Sequence, residues 1–461
     1  MRRTRLVISL ILGIALSVGL LVVIRMNQSA VAASVDASIT LPSEADGGAP
    51  DSQQVTNTAY IAVRFADNDV AVRAITFTKP ISALRALELS GFAFTTADFG
   101  WGLFLCSIED VGDSGDACDN DDRYWATYYW DGGSWAGRMV GITEAMITQT
   151  GHLEAFSWSD PGWDPVDPPP ASPLTAAWQA LVWLQAQQEP DGGYGTPGST
   201  AEVLMALGAN RMAADSAARA NTMSRGAGLA GSDAAGAGKL GVALTAHDIC
   251  WPRQAPMPLD YYSPTTGAFD VDAAPHAWAM LGTAALSETV PPSATQYLMS
   301  LQQPSGGWEW GQGWGVDTNS TALAIQALVA AGEPLTSTSI VSALTYLQLA
   351  QNADGGFPYD PTSAWDTESD TNSTAYVVQA LLAAGQDPLT VPWTINDTHP
   401  MGYLLAMQLE DGSFEWQPGL GPNQAATQQV IPALLHRPFP VRIVALDVCS
   451  GAYLPLVSRG E

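Results

Sequence analysis

The residues most suggestive of chemistry are Asp317-Thr318-Asn319-Ser320-Thr321-Ala322, which return as Asp370-Thr371-Asn372-Ser373-Thr374-Ala375, each time heading an apolar run. A carboxylic acid beside an amide and hydroxyls at a helix start has two uses. It can exchange a proton with a bound molecule, or it can accept the free N–H groups of the first turn as a cap. Capping alone accounts for these heads, and the amides of Asn319 and Asn372 hold no proton acidic enough to donate. The preceding loops, "GGWEWGQGWGVD" (306–317) and "GGFPYDPTSAWDTESD" (355–370), carry Trp308, Trp310, Trp314, Phe357, Tyr359 and Trp365 to the same place. Aromatic walls with a few polar groups suit a bulky, partly apolar small molecule. The expected ligand contacts are therefore Trp310, Trp314, Asp317, Asn319, Trp365, Asp370 and Asn372, while Trp308 and Phe357 occupy repeat positions and are expected to be structural.

Other chemistry finds less support. Asp248 and Cys250 are of types that ligate zinc, but no histidine occurs in 277–398 to join them, so a solvent-facing Asp and a disulfide Cys are expected and no metal is assigned. Asp110, Asp113, Asp116, Asp119, Asp121 and Asp122 lack the alternation and turn glycine of a calcium loop and read as a solvated acidic loop. HExxH, GxSxG and phosphate-loop patterns are absent from the sequence.

Positioning these residues falls to a chain of 461 residues, 47% hydrophobic and 14% charged, with a net charge of −28. Such a composition is globular, and such a charge repels nucleic acid and anionic lipid. Residues 1–33 open with basic "MRRTR", run apolar from Leu6 to Ile24 and reach the small residues "AVAAS", which reads as a signal peptide or an N-terminal membrane anchor. Either places the remainder outside the cell, secreted or at the surface, and membrane contact is expected only through that anchor. There the four cysteines are expected to pair, Cys106 with Cys118 across a local loop and Cys250 with Cys449 by elimination.

A segment at 34–57 is expected to be flexible, and the Pro-rich linker 160–174 separates a strand-rich region from a helical one. Residues 58–159 hold short runs such as "AYIAVRFA" and "YWATYYW" and form a small mixed β domain, with one helix in "ISALRALELSG". In the aromatic strand Trp125, Thr127 and Tyr129 face one way and Tyr124, Ala126, Tyr128 and Trp130 the other. Trp125, Tyr128 and Trp130 are ligand-contact candidates here if one face is open; burial on both faces is the competing reading.

Residues 175–440 repeat. Aromatic, Leu, three residues, Gln, three residues, Gly, one residue, aromatic occurs at Trp183, Tyr297, Tyr346 and Tyr403, with a degenerate copy expected at "SPTTGAF" (263–269). Each copy is a helix that stops at glycine and returns as a second, apolar helix. About six such pairs close into an α/α toroid, with an open solenoid as the alternative. The fold class is thus multidomain α and β, a small mixed β domain followed by the toroid, with a C-terminal tail at 441–461.

The Gln-x3-Gly-x-aromatic repeats followed by Asp-Thr-Asn-Ser-Thr-Ala resemble those of the terpene cyclase and protein prenyltransferase superfamily, and the β region resembles the domain joined to the same toroid in transcobalamin and intrinsic factor. The first resemblance implies a toroid around a central cavity. Squalene-hopene and class II diterpene cyclases carry Asp-x-Asp-Asp-Thr-Ala there, with the central Asp as acid; Asn319 and Ser320 occupy those acidic positions here. The second resemblance implies a ligand such as cobalamin or another corrinoid, held at the toroid mouth with help from the β domain. The expectation is a cobalamin-carrier-like binding protein without catalysis; the alternatives are a cyclase or prenyltransferase-like enzyme acting on a polyprenyl substrate, with Asp317 as donor, and a non-catalytic surface scaffold or adhesion protein.

Overall fold

The computed structural model describes residues 56–100, 102–115, 118–364 and 367–449. The leader at 1–33, nearly all of 34–57, Asp116, Trp365 and the tail from residue 450 lie outside the described residues. Among the described residues no helix is long and apolar enough to cross a membrane.

Runs rich in Val, Ile and aromatics become strands: β1 (Asn57–Ala66), β2 (Asp69–Phe77), β3 (Ile81–Ser82), β4 (Phe94–Asp98), β5 (Leu103–Ile108), β6 (Val111–Gly112), β7 (Trp125–Trp130), β8 (Trp135–Gly137), β9 (Met146–Ile147) and β10 (Leu153–Trp158). Helix α1 (Ala83–Ser90) is capped by Ser82 and stopped by left-handed Gly91. The main sheet has the order β2-β1-β10-β7-β8, with β1 and β10 parallel and the other pairs antiparallel. Alternation sends Ile61, Val63, Trp125 and Phe156 into a core shared with Ala83 and Leu87 of α1. Ala62, Val72, Ala126 and Tyr128 point the other way, into the large core formed with the helical region. The aromatic strand is therefore covered on both faces. A disulfide joins Cys106 to Cys118, whose Cα atoms are 5.0 Å apart.

The helices are α2 (Ala171–Gln185), α3 (Pro197–Ala209), α4 (Ser216–Ala230), α5 (Ala234–Thr245), α6 (Ala273–Ala285), α7 (Pro292–Ser300), α8 (Thr318–Ala330), α9 (Thr338–Ala350), α10 (Thr371–Ala383), α11 (Pro400–Ala406) and α12 (Gln424–Leu434). Helices α3, α5, α6, α8, α10 and α12 pack each on the next, and α12 returns to α3. Alanine-rich sequence permits this closeness: a Cβ on Gly238 of α5 would sit 2.1 Å from the Trp278 carbonyl oxygen of α6. Apolar residues all round these helices are buried, each large aliphatic side chain contributing about 1.5–3 kcal/mol. Helices α2, α4, α7, α9 and α11 precede inner partners α3, α5, α8, α10 and α12; before α6 that place is taken by one 3-10 turn, Pro258–Tyr261.

The repeated glutamines hold these layers together. Gln302 Nε2 donates to the carbonyls of Gly306 and Ser339, Gln351 to Gly355 and Trp393, and Gln408 to Gly412 and Ala176. Each brace fastens its own glycine turn to the start of another repeat. Gly355 adopts φ 86°, and a Cβ there would stand 2.8 Å from the His399 nitrogen, so both backbone conformation and proximity demand glycine. The repeat aromatics also have a shared anchor: the backbone N–H groups of Tyr194, Trp308, Phe357 and Phe414 donate to Thr200, Thr321, Thr374 and Thr427 on the inner helices. In the degenerate copy the Phe269 N–H instead donates to His276 Nδ1 at 3.0 Å.

The sheet lies at the C-terminal ends of α3 and α12. Asn210, after α3, accepts from Val72 N at 2.7 Å and donates to Val72 O at 3.0 Å, closing the edge of β2. Arg211 binds Asp69 and Asp110, and Arg437 pairs with Asp69. A second disulfide links Cys250 to Cys449.

Candidate functional site

At the opposite end, where the inner helices begin, a cavity of about 320 Å³ is bounded by residues of all six: Glu202 on α3, Lys239 on α5, Ala274 and Trp278 on α6, Asn319, Ser320 and Leu323 on α8, Asn372 and Tyr376 on α10, and Gln429 on α12. Trp310 and Tyr359 reach it from the loops. The loops close over successive helix heads: Ala274 N–H donates to Trp310 O, Thr318 N–H to Tyr359 O and Thr371 N–H to Trp416 O.

Trp310, Tyr359 and Trp416 each stand two residues after the anchored aromatic of their repeat. Trp310 is thus a recurring position, a register that the spacing contains but that the sequence reading placed outside the repeat. Strands β11 (Trp308–Glu309) and β12 (Val316–Asp317) make its loop a small hairpin. At the tip Trp310 and Trp314 meet with ring centroids 5.4 Å apart; Trp310 lines the cavity, whereas Trp314 is its outer neighbour.

The two polar heads differ in one decisive respect. Asp317 Oδ1 accepts from Ser320 N at 2.6 Å, and Asp370 Oδ1 from Ser373 N at 2.8 Å, so both aspartates are caps. Asp370 Oδ2 also accepts from the Ser373 hydroxyl at 2.7 Å. Asp317 Oδ2 is buried without a partner in full hydrogen-bond geometry, and the neighbouring Tyr359 and Ser320 hydroxyls come close enough to favour its ionised form. Burial pushes the Asp317 carboxyl up to about 6, against the lowering influence of Ser320, Trp310 and Tyr359. Asn319 and Asn372 do not cap; they face the cavity, where Asn372 Nδ2 donates to Gln429 Oε1 at 2.6 Å.

A charged pair that the sequence reading missed completes the wall. Lys239 Nζ lies 2.6 Å from Glu202 Oε1 and 5.0 Å from the Trp278 ring centroid. Burial alone would raise the Glu202 pKa, but Lys239 and hydrogen bonds from Gln428 and Gln429 overcome it and hold the carboxylate below its ordinary range. Its only advance signal was a charge at an otherwise apolar helix position, Lys239 within "AAGAGKLGVALT".

The expected contacts are thus partly gathered. Trp310, Asn319 and Asn372 line the cavity, and Asp317 and Asp370 cap helices beside it. Trp365 lies outside the described residues. Trp125 packs against Phe65 and Trp158, Tyr128 faces the helical core, and Trp130 meets Trp135, all in the sheet at the far end of the ring. Asp248 is exposed and pairs with Arg442, while Cys250 belongs to a disulfide.

Residues 200–422 match the squalene-hopene cyclase C-terminal domain family, a span that contains α5, α6, α8 and α10 whole, takes in most of α3 and stops just before α12. The sheet falls outside it. This match supports a place among the terpene cyclase-like helical folds. Among solved structures, the type II terpene cyclase MstE from Scytonema is 16% identical, with 57% of this chain and 97% of that chain covered and a TM-score of 0.44. An MstE variant in complex with geranylgeranyl dihydroxybenzoate, its substrate, is 14% identical, with 57% and 96% covered and a TM-score of 0.42. The ent-copalyl diphosphate synthase from Streptomyces platensis is 20% identical, with 60% and 57% covered and a TM-score of 0.37. No curated protein matches.

The family match overturns the expectation of a cobalamin-carrier-like protein, since the matched domain is that of a cyclase. Geometry gives the physical reason. The sheet that would help to hold the ligand packs at the end of the ring away from the cavity, and about 320 Å³ is at the small end of clefts for drug-sized molecules, far too little to enclose a corrinoid.

Proposed function

We propose that this chain is a terpene cyclase-like enzyme acting on a polyprenyl substrate held at the heads of the inner helices, and that the ring of six helix positions is an α/α toroid. The observation that carries the chemical part is the buried, unpartnered Oδ2 of Asp317, on a carboxyl whose pKa stands at about 6. A carboxyl of this kind keeps its proton at mildly acid pH.

Asp317 gives that proton toward an alkene carbon by way of the adjacent Tyr359 hydroxyl, which closes into hydrogen-bond contact with Oδ2 when substrate fills the cavity. The Asp317 O–H bond breaks as a proton reaches the tyrosine oxygen, and the tyrosine's own proton forms a new C–H bond. A carboxylate and a tertiary carbocation remain. A second alkene's π electrons close the ring, the cyclised cation loses a proton to a water molecule to yield an isomer of the substrate, and the Asp317 carboxylate is reprotonated from solvent. The faces of Trp278, Trp310, Tyr359 and Tyr376 stabilise the cation, each by about 0.5–2 kcal/mol. Asn319 and Asn372 contribute polarity to the wall and no proton. An extracytoplasmic location belongs to this reading, and the two disulfides support it.

The test is incubation of the protein with squalene and with a geranylgeranyl-bearing substrate, followed by mass spectrometry for products of unchanged mass and new retention time. Asp317→Asn should lower turnover by about 10²-fold or more. Turnover at the wild-type rate in that variant would remove Asp317 as donor. Absence of product from the wild-type protein with both substrates would remove the enzyme reading.

A further inference from the structure

The cavity has a floor supplied by a part of the chain outside the repeats. After α12 the segment Arg437-Pro438-Phe439-Pro440-Val441 turns under the ring, and Phe439 enters it from below. Its N–H donates to Gln326 Oε1 of α8 at 2.8 Å, a side chain that is itself fully buried. Its ring lies 5.4 Å from that of Trp278 on α6 and 6.4 Å from that of Tyr376 on α10. Those two rings line the upper cavity, so Phe439 is wedged directly behind them.

The same segment roofs a second space. A cleft of about 690 Å³ lies beneath, bounded by Arg437, Pro438, Pro440 and Val441 together with Asp69 and Arg211. Residues 437–441 therefore form a septum between two cavities, fixed below by the Arg437 contacts with Asn68 and Asp69 and above by Gln326.

We infer that Phe439 is a specificity-determining residue: by backing Trp278 and Tyr376 it sets the greatest length of polyprenyl chain that the cavity accepts. The inference rests on the polyprenyl reading of the site and adds to it a named floor. A smaller side chain at 439 lets the two rings fall back and opens the upper cavity toward the cleft, so longer chains enter.

The experiment titrates the full chain with farnesol, geranylgeraniol and a longer linear polyprenol, following intrinsic tryptophan fluorescence, to which the cavity residues Trp278 and Trp310 contribute, in the wild type, Phe439→Leu and Phe439→Ala. Far-UV circular dichroism reports whether each variant is folded. The expected result is a length cut-off in the wild type that moves to the next longer chain in Phe439→Leu and further in Phe439→Ala. If Phe439→Ala does not fold, the shift in Phe439→Leu carries the test. An identical cut-off in the wild type and every folded variant would overturn the floor while leaving the polyprenyl reading intact. Failure of all three chains to change the wild-type signal would overturn the polyprenyl reading and the floor with it.

Discussion

Replacing Asp317 by Asn separates stability from chemistry. Asn caps a helix about as well as Asp, so the hydrogen bond from Ser320 N survives and what changes is the buried charge. The Asp317 pKa rises from an ordinary 3.8 to about 6 in the folded protein. At about 1.36 kcal/mol per unit, the ionised carboxylate costs the fold about 3 kcal/mol. The sign comes from linkage. The folded protein holds this proton more tightly than the unfolded chain, so the contribution is fully present below about pH 4 and is lost as pH rises through about 6. Urea unfolding followed by tryptophan fluorescence at about pH 5, 6.5 and 8 should therefore show the wild type losing ground to Asp317→Asn as pH rises, with the variant about 3 kcal/mol the more stable at pH 8. Turnover should fall in the same variant, the opposition expected where a strained group serves function. Parallel pH profiles for the two proteins would refute the argument, because Asp317 would then ionise in the fold as it does in the unfolded chain.

Three further outcomes are expected. Lys239→Ala strands the Glu202 carboxylate without its cation and should cost about 3–5 kcal/mol by urea unfolding at neutral pH, with the additional substitution Glu202→Gln recovering most of the loss. Gly355→Ala imposes a positive φ on a side chain that meets the His399 backbone, and should lower stability by about 1–3 kcal/mol, measured by thermal melting. Asn210→Ala removes both side-chain bonds to the Val72 backbone and should cost about 1–3 kcal/mol, with faster proteolytic cleavage in 68–77 as the local readout.

The part of the fold legible in the sequence was the part written in short spacings. Gln302, Gln351 and Gln408 recur at a fixed distance from glycine because each reaches the carbonyl of its own turn, four residues on. The apolar inner helices came from the same rhythm, and the weak copy at Ser263 was visible through Gly267 and Phe269 even though its outer helix is only a 3-10 turn. The disulfides came from counting cysteines. The site was legible in pieces: the polar heads announced the mouth, but nothing local distinguishes Asp317 from Asp370, whose Oδ2 atoms differ through three-dimensional surroundings. Glu202 gathers Lys239, Gln428 and Gln429 from distant helices, and Phe439 meets Gln326 from 113 residues away. Such contacts leave no periodic trace. Trp125 and Tyr128 misled for a related reason, since alternation assigns faces but cannot say that a second layer covers each one.

The disulfide between Cys250 and Cys449 changes how the segment beneath the ring can move. Trp251 N–H donates to Asp447 O and Cys449 N–H to Trp251 O, so the covalent tie sits within a short backbone bridge. Phe439 is consequently held by a brief tether between the last inner helix and a fixed point on the outer wall. A tethered group that leaves its slot stays at a high effective concentration near it, and the return outpaces wider excursions. Reducing the bond would therefore release the segment on one side only, since Phe439 remains joined to the end of α12 at Leu434.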